Sequence, residues 1–158
     1  MIDKSKRNLF RRVKTSPFKS FIFPPYYEKK EDFLKCIECN NKDCLAACEE
    51  EIIKIENEMP VLDFTKSGCT FCDDCAIACP NKVLKVENRL EKIAEMIIDS
   101  KKCIAWNQTI CFSCQDICEE SAIIYKGMFN PVIDLEKCTG CGFCISVCPT
   151  FAIAAKAV

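Results

Sequence analysis

Sixteen cysteines in 158 residues fall into four groups of four, and that spacing constrains the fold more than any other feature of the chain. Two groups read CxxCxxCxxxCP without a mismatch: Cys69, Cys72, Cys75, Cys79 with Pro80, and Cys138, Cys141, Cys144, Cys148 with Pro149. Three thiolates that close together can surround one face of a cubane, while the fourth, one helical turn further on, points away and reaches a neighbouring cluster. The spacing is that of 4Fe-4S clusters held in pairs.

The other two groups vary the pattern. Cys36, Cys39, Cys44 and Cys48 are two residues longer in the middle, and Cys103, Cys111, Cys114 and Cys118 open with a wide gap before a CxxCxxxC tail. Both are followed by glutamate, Glu49 and Glu119, where the regular groups have proline. Each still offers three ligands and a fourth cysteine four residues after the third, so all sixteen cysteines are candidate ligands, for up to four clusters.

Cysteine is about a tenth of the residues, and subtracting it from the 49% hydrophobic fraction leaves a thin apolar core. A chain this small needs staples, and metal ligation supplies folding free energy directly. The cluster-free protein is therefore expected to be largely unfolded. A secreted disulfide framework is the other use of so much cysteine. Residues 1–25 contain no apolar run of export length, and Ser5-Lys6-Arg7-Asn8-Leu9-Phe10, although similar to a twin-arginine core, continues into Arg11-Arg12-Val13-Lys14. The expected location is cytoplasmic, with no transmembrane segment. Zinc sites usually present cysteines as separated pairs and often recruit histidine; this chain has none.

From Met1 to Pro25 seven Lys or Arg face one acid, Asp3, so this stretch carries about +6 and the remainder about −7. Aromatics are interleaved there and just beyond: Phe10, Phe18, Phe21, Phe23, Tyr26 and Tyr27. Residues 1–33 read as a basic arm, one that docks a partner or folds its aromatics back on the body. An acidic body with thiolate ligands argues against a nucleic-acid partner.

Beyond residue 33 the chain reads as four repeats of cluster loop, one-turn helix and short strand. Helices are expected at Cys75–Cys79 and Cys144–Cys148, and strands at Ile52–Ile55, Val83–Val86, Ala122–Tyr125 and Ala152–Ala154. Two hairpins stand out. Ile52–Ile55 runs through Glu56-Asn57-Glu58-Met59 into Pro60-Val61-Leu62-Asp63, and Ala122–Tyr125 runs through Lys126–Asn130 into Pro131-Val132-Ile133-Asp134. The connector 88–102 is longer, more charged and lacks this element. Groups one and two therefore pair, as do three and four: an α+β chain of tandem ferredoxin-like (dicluster 4Fe-4S) halves, 34–88 and 89–158, behind the N-terminal basic arm. With the fourth cysteine exchanged within each half, the ligand sets are Cys36, Cys39, Cys44 with Cys79; Cys69, Cys72, Cys75 with Cys48; Cys103, Cys111, Cys114 with Cys148; and Cys138, Cys141, Cys144 with Cys118. A nested arrangement, outer groups together and inner groups together, satisfies the same cysteine positions.

With these residues in place the chain resembles the NapF family, the accessory ferredoxin-type proteins of the periplasmic nitrate reductase system. The resemblance rests on the basic leader, Pro24-Pro25 followed by an aromatic, the quartet ending Cys48-Glu49, the regular group at Cys69, and the wide-gapped third group from Cys103-Ile104-Ala105-Trp106 to Cys118-Glu119. It implies a cytoplasmic accessory factor that acts on the molybdenum-containing catalytic subunit before export, through electron transfer or iron-sulfur assembly.

An enzyme in its own right is not expected: there is no histidine, dinucleotide fingerprint, P-loop or CxxxCxxC triplet. A general ferredoxin feeding a membrane oxidoreductase complex, exchanging electrons with other redox proteins, and a metal-stabilised adaptor are the alternative functions. Gly140 and Gly142, inside the last cluster loop, are expected to serve its turn geometry and to let backbone N–H groups approach sulfur. Trp106 and Phe112, flanking Cys111, are candidates to pack over a cluster.

Overall fold

The computed structural model describes residues 21–158. Along them short helices and strands alternate: α1 (Asp43–Ala46), β1 (Ile53–Glu56), β2 (Met59–Leu62), α2 (Asp74–Ile77), β3 (Ala94–Ile98), α3 (Ser113–Asp116), β4 (Ile123–Lys126), β5 (Phe129–Ile133), α4 (Phe143–Ser146) and β6 (Ile153–Ala157). A 3₁₀ helix over Lys30–Glu38 precedes α1. Each α-helix is a single turn that carries the third cysteine of its group: Cys44, Cys75, Cys114 and Cys144, all buried. The helices end before the fourth cysteine, so α2 and α4 are shorter than the Cys75–Cys79 and Cys144–Cys148 spans expected of them.

Both expected hairpins form. β1 pairs antiparallel with β2, Ile53 opposite Leu62 and Glu56 opposite Met59, and β4 with β5, Ile123 opposite Ile133 and Lys126 opposite Phe129. Asn57 and Glu58 both take positive φ, 48° and 63°, the pair of left-handed residues that a tight hairpin turn matching strand twist requires. Pro60 and Pro131 are accommodated because each ribbon has only two strands, leaving an edge where a missing N–H costs no ladder bond.

Two strand assignments change. Val83–Val86 is not a strand. Bends at Val83 and Leu84 lead instead into a 3₁₀ helix over Val86–Asn88, with the Lys85 N–H donating to the Tyr26 carbonyl at 2.7 Å and the Leu90 N–H to the Pro25 carbonyl at 2.7 Å. The charged connector, conversely, holds β3, which pairs antiparallel with β6 from Ala94 opposite Ala157 to Ile98 opposite Ile153. Ala94 and Met96 face inward and Glu95 and Ile97 outward, an alternation that the charges of 89–95 obscure.

Residues 21–33 thus do for the first half what β3 does for the second. Phe23 stacks on Phe33 with ring centroids 4.0 Å apart, and the Tyr27 ring meets both edge-on. Phe23, Tyr26 and Phe33 lie in the core. Of the basic arm expected over 1–33, this stretch packs into the body; residues 1–20 lie outside the described residues. α1 packs against α2 and α3 against α4, which gives two similar lobes, and no helix among the described residues is long and apolar enough to cross a membrane.

Candidate metal centres

One turn, made four times, positions the fourth cysteines. Three residues after Cys48, Cys79, Cys118 and Cys148 the backbone turns left-handed, at Glu51, Lys82, Ser121 and Phe151, with φ between 50° and 52°. Each of those residues donates its N–H back to the carbonyl of its cysteine, at 3.1, 3.3, 3.0 and 3.2 Å respectively. Glu49 and Glu119 enter this turn as Pro80 and Pro149 do, so the variant and regular groups share their geometry despite the change of residue. The sulfurs beyond the turn are further held by backbone donors: Leu84 N–H to Cys79 Sγ at 3.5 Å, Ala122 to Cys118 at 3.3 Å and Ala152 to Cys148 at 3.2 Å.

The irregular spacings have local explanations. In the first group the extra residues bring in Lys42, left-handed at the start of α1, whose ammonium donates to the Cys36 carbonyl and, at 2.7 Å, to the Glu58 carbonyl. Its side chain is only 14% exposed, so a positive charge is fixed against the loop. In the third group the wide gap closes on itself. Asn107 Nδ2 donates to the Cys103 carbonyl at 2.7 Å, Ala105 is buried, and Trp106 Nε1 donates to the Pro131 carbonyl at 3.0 Å, which ties the loop to β5. Trp106 is 39% exposed and anchors the loop through its indole nitrogen. Phe112 packs on Tyr125 at 4.9 Å.

The cysteines gather across repeats. Burial pushes the Cys36 and Cys44 thiols up to about 11, and Cys79 is the next largest influence on both. Burial likewise raises Cys69 to about 11, with Cys72, Cys48 and Cys141 adding to the shift. Cys75 is raised by burial and then by Cys69, Cys72, Cys44 and Cys48. In the second half burial carries Cys144 up to about 12, reinforced by Cys141, Cys138, Cys114 and Cys118. Burial also raises Cys114, opposed by its hydrogen bond with Tyr125 and reinforced by Cys111 and Cys103, and it raises Cys138, whose neighbours include Cys141 and Cys118. Dense, dry sulfur disfavours bare thiolates and favours a cationic core that shares their charge.

Cavities mark the same places. One of about 90 Å³ is lined by Cys48, Cys69, Cys72 and Cys75, and another of about 310 Å³ by Cys118, Cys138, Cys141, Cys144 and, from the first half, Cys69. A narrower one has Cys103, Cys111, Cys114 and Cys148 in its wall. Among the described residues no three His, Cys, Asp or Glu side chains converge on a point that would hold a single metal ion; the sulfurs stand around volumes. The sixteen cysteines are free, without a disulfide.

Polar side chains that the motif spacing does not reveal lie beside the sulfurs. The Tyr125 hydroxyl donates to the Cys111 carbonyl and lies 3.8 Å from Cys114 Sγ, and burial raises its phenol above the ordinary range. The Tyr26 hydroxyl accepts the Asp73 N–H at 3.2 Å next to the second group. Neither residue belongs to a cysteine motif: Tyr125, in a strand, reads as core, and Tyr26 as one of the aromatics of the basic arm.

Comparison with known proteins agrees with this geometry. A 4Fe-4S dicluster domain family matches residues 35–83 and a 4Fe-4S binding domain family matches residues 131–154. The ferredoxin-type protein NapF of Escherichia coli K12 is 32% identical over 141 residues, covering 85% of this chain and 84% of that protein. NapF of Haemophilus influenzae is 33% identical over 138 residues, covering 84% and 77%. An uncharacterized ferredoxin of Methanocaldococcus jannaschii is 37% identical over 67 residues, covering 40% of this chain and 80% of its own. With identity sustained across both lobes, the chain belongs to the NapF family of ferredoxin-type proteins and binds 4Fe-4S clusters.

Proposed function

We propose that the sixteen cysteines hold four 4Fe-4S clusters in two pairs, the halves being 34–88, joined by 21–33, and 89–158. The sets are Cys36, Cys39, Cys44, Cys79; Cys48, Cys69, Cys72, Cys75; Cys103, Cys111, Cys114, Cys148; and Cys118, Cys138, Cys141, Cys144. The observation that carries this reading is the crossing of the fourth cysteines: Cys48 lines a cavity with Cys69, Cys72 and Cys75, Cys118 one with Cys138, Cys141 and Cys144, and Cys148 one with Cys103, Cys111 and Cys114. A 4Fe-4S cluster, when bound, stores and releases one electron at a time. The residues supply the rest: thiolates bind, backbone N–H groups of Leu84, Ala122 and Ala152 neutralise sulfur charge, and buried Ile52, Leu84, Ile123 and Ile153 exclude water.

Membership of the NapF family, with a basic leader on an acidic body, supports a cytoplasmic accessory role. The chain binds the catalytic molybdoenzyme subunit of periplasmic nitrate reductase before export and helps mature it, by electron donation or cluster assembly, without being an enzyme itself. Affinity purification of this chain under anaerobic conditions from cells blocked in export tests the reading. The unexported precursor should co-purify, and should be lost when residues 1–20 are deleted. Recovery of a membrane oxidoreductase complex instead, indifferent to that deletion, would establish the chain as a general electron shuttle.

A further inference from the structure

The two halves touch through their second and fourth cysteine groups, and the contact is closer than side chains ordinarily permit. The Cys69 N–H donates to the Cys141 carbonyl at 2.7 Å. Of the chain's four glycines, two stand at this seam. A Cβ on Gly68 would lie 2.6 Å from the ring and backbone nitrogen of Phe143, and one on Gly142 would lie 2.2 Å from the Phe64 ring.

The seam explains a difference between two otherwise equal motifs. The CxxCxxC loops of groups two and four turn left-handed at the same two places, Phe71 and Asp73 in one, Gly140 and Gly142 in the other. Backbone conformation alone therefore tolerates a side chain there. Glycine is needed in the fourth group because Phe64 and, beside Gly140, the Ala94 backbone press against it. Closeness of the halves accounts for Gly142, and the approach of β3 within the second half accounts for Gly140.

Cys69, a member of the second group, also forms part of the wall of the cavity that the fourth group surrounds. Group one meets group two through α1 packed on α2, and group three meets group four through α3 packed on α4. The order in space is therefore one, two, four, three, which is not the order in sequence.

We propose that the seam of Gly68–Cys69 against Cys141–Phe143 is the electron bridge between the halves. It places the clusters of groups two and four as inner partners and leaves those of groups one and three at the two ends. One electron crosses: the cluster on one side is oxidised by one as the other is reduced by one, with no proton or ligand exchanged. The hydrogen bond joins two cluster-bearing cysteines directly, so the path runs from the Cys69 side chain through its N–H to the Cys141 carbonyl and side chain. This inference rests on the four-cluster reading above.

The test removes the end clusters by replacing Cys39 and Cys103 with alanine in the full chain, reconstituted anaerobically with iron and sulfide. Iron analysis first checks the cluster reading by itself: about eight iron atoms per chain are expected to remain. In the fully reduced sample the two remaining spins should show magnetic interaction in their electron paramagnetic resonance spectrum; two independent, unbroadened signals overturn the bridge while leaving the cluster reading intact. Should that variant fail to fold, Gly68→Val in the otherwise unaltered chain should keep full iron and lose the part of the interaction that arises between halves. A spectrum identical to that of the unaltered protein overturns the proposal.

Discussion

At the scale of single residues, Lys42 gives the first group's longer spacing a physical consequence. Its ammonium is fixed against the carbonyls of Cys36 and Glu58, and a nearby positive charge stabilises the more negative, reduced state of a cluster. Lys42→Met should therefore lower the reduction potential of the first site and leave the others unchanged, as read by a redox titration followed by paramagnetic resonance. Gly140 and Gly127 make a matched pair for stability. Both have positive φ, 72° and 78°, but a Cβ at Gly140 would lie 2.2 Å from the Ala94 carbonyl oxygen, whereas at Gly127 it meets nothing within 4 Å. Gly127→Ala should cost about 1 kcal/mol from backbone conformation alone, and Gly140→Ala clearly more, measured as denaturant midpoints. The thiols set a pH dependence. Burial raises Cys36, Cys44 and Cys69 to about 11 and Cys144 to about 12, above the ordinary thiol value of 9.0, so these thiols carry their protons at pH 7 until metal displaces them. Loading must displace those protons, so cluster affinity weakens as pH falls, by about 1.4 kcal/mol per pH unit for each proton released. Proton release on reconstitution, followed in weakly buffered solution, checks the sign.

At the scale of elements, the hairpins were legible because Pro60-Val61-Leu62-Asp63 and Pro131-Val132-Ile133-Asp134 repeat the same alternation, and a pattern of period two fixes which face is buried. β3 was hidden for the opposite reason. Its inward residues include a small Ala94, and its outward Glu95 merges with the charges before it, so alternation is present without contrast. Val83–Val86 looked like a strand because Val83, Leu84 and Val86 are branched and apolar, but only Val83 and Leu84 are buried, and the segment 22–27 lying alongside is a long-range partner that no local pattern announces. The same partner explains why 21–33 packs as body. Phe33 is fully buried in the 3₁₀ helix that carries Cys36, stacked on Phe23. Phe33→Ala should cost about 3–5 kcal/mol. Because the lost anchor lies next to Cys36, iron should leave the first site first, which chelator-driven bleaching resolved by site would show.

At the scale of the whole molecule, the spacing of the cysteines revealed the tandem lobes but not their contact. Connector length pairs group one with two and three with four; nothing in the motifs says that Gly68 faces Phe143 or that Cys69 meets Cys141. Such contacts are set by how the lobes dock, and their trace in sequence is only a glycine where a motif tolerates many residues. The buried set is a modest apolar cluster with cysteines among its members, so sulfur ligation has to contribute to holding the lobes together. Anaerobic removal of iron should abolish the cooperative thermal transition and most native circular dichroism. The central claim, four cubane clusters on sixteen thiolates, is tested most directly by counting iron and acid-labile sulfide per chain in anaerobically loaded protein. About sixteen of each are predicted; a fully loaded, folded chain holding about half as many, or cystine bridges in place of metal, would contradict it.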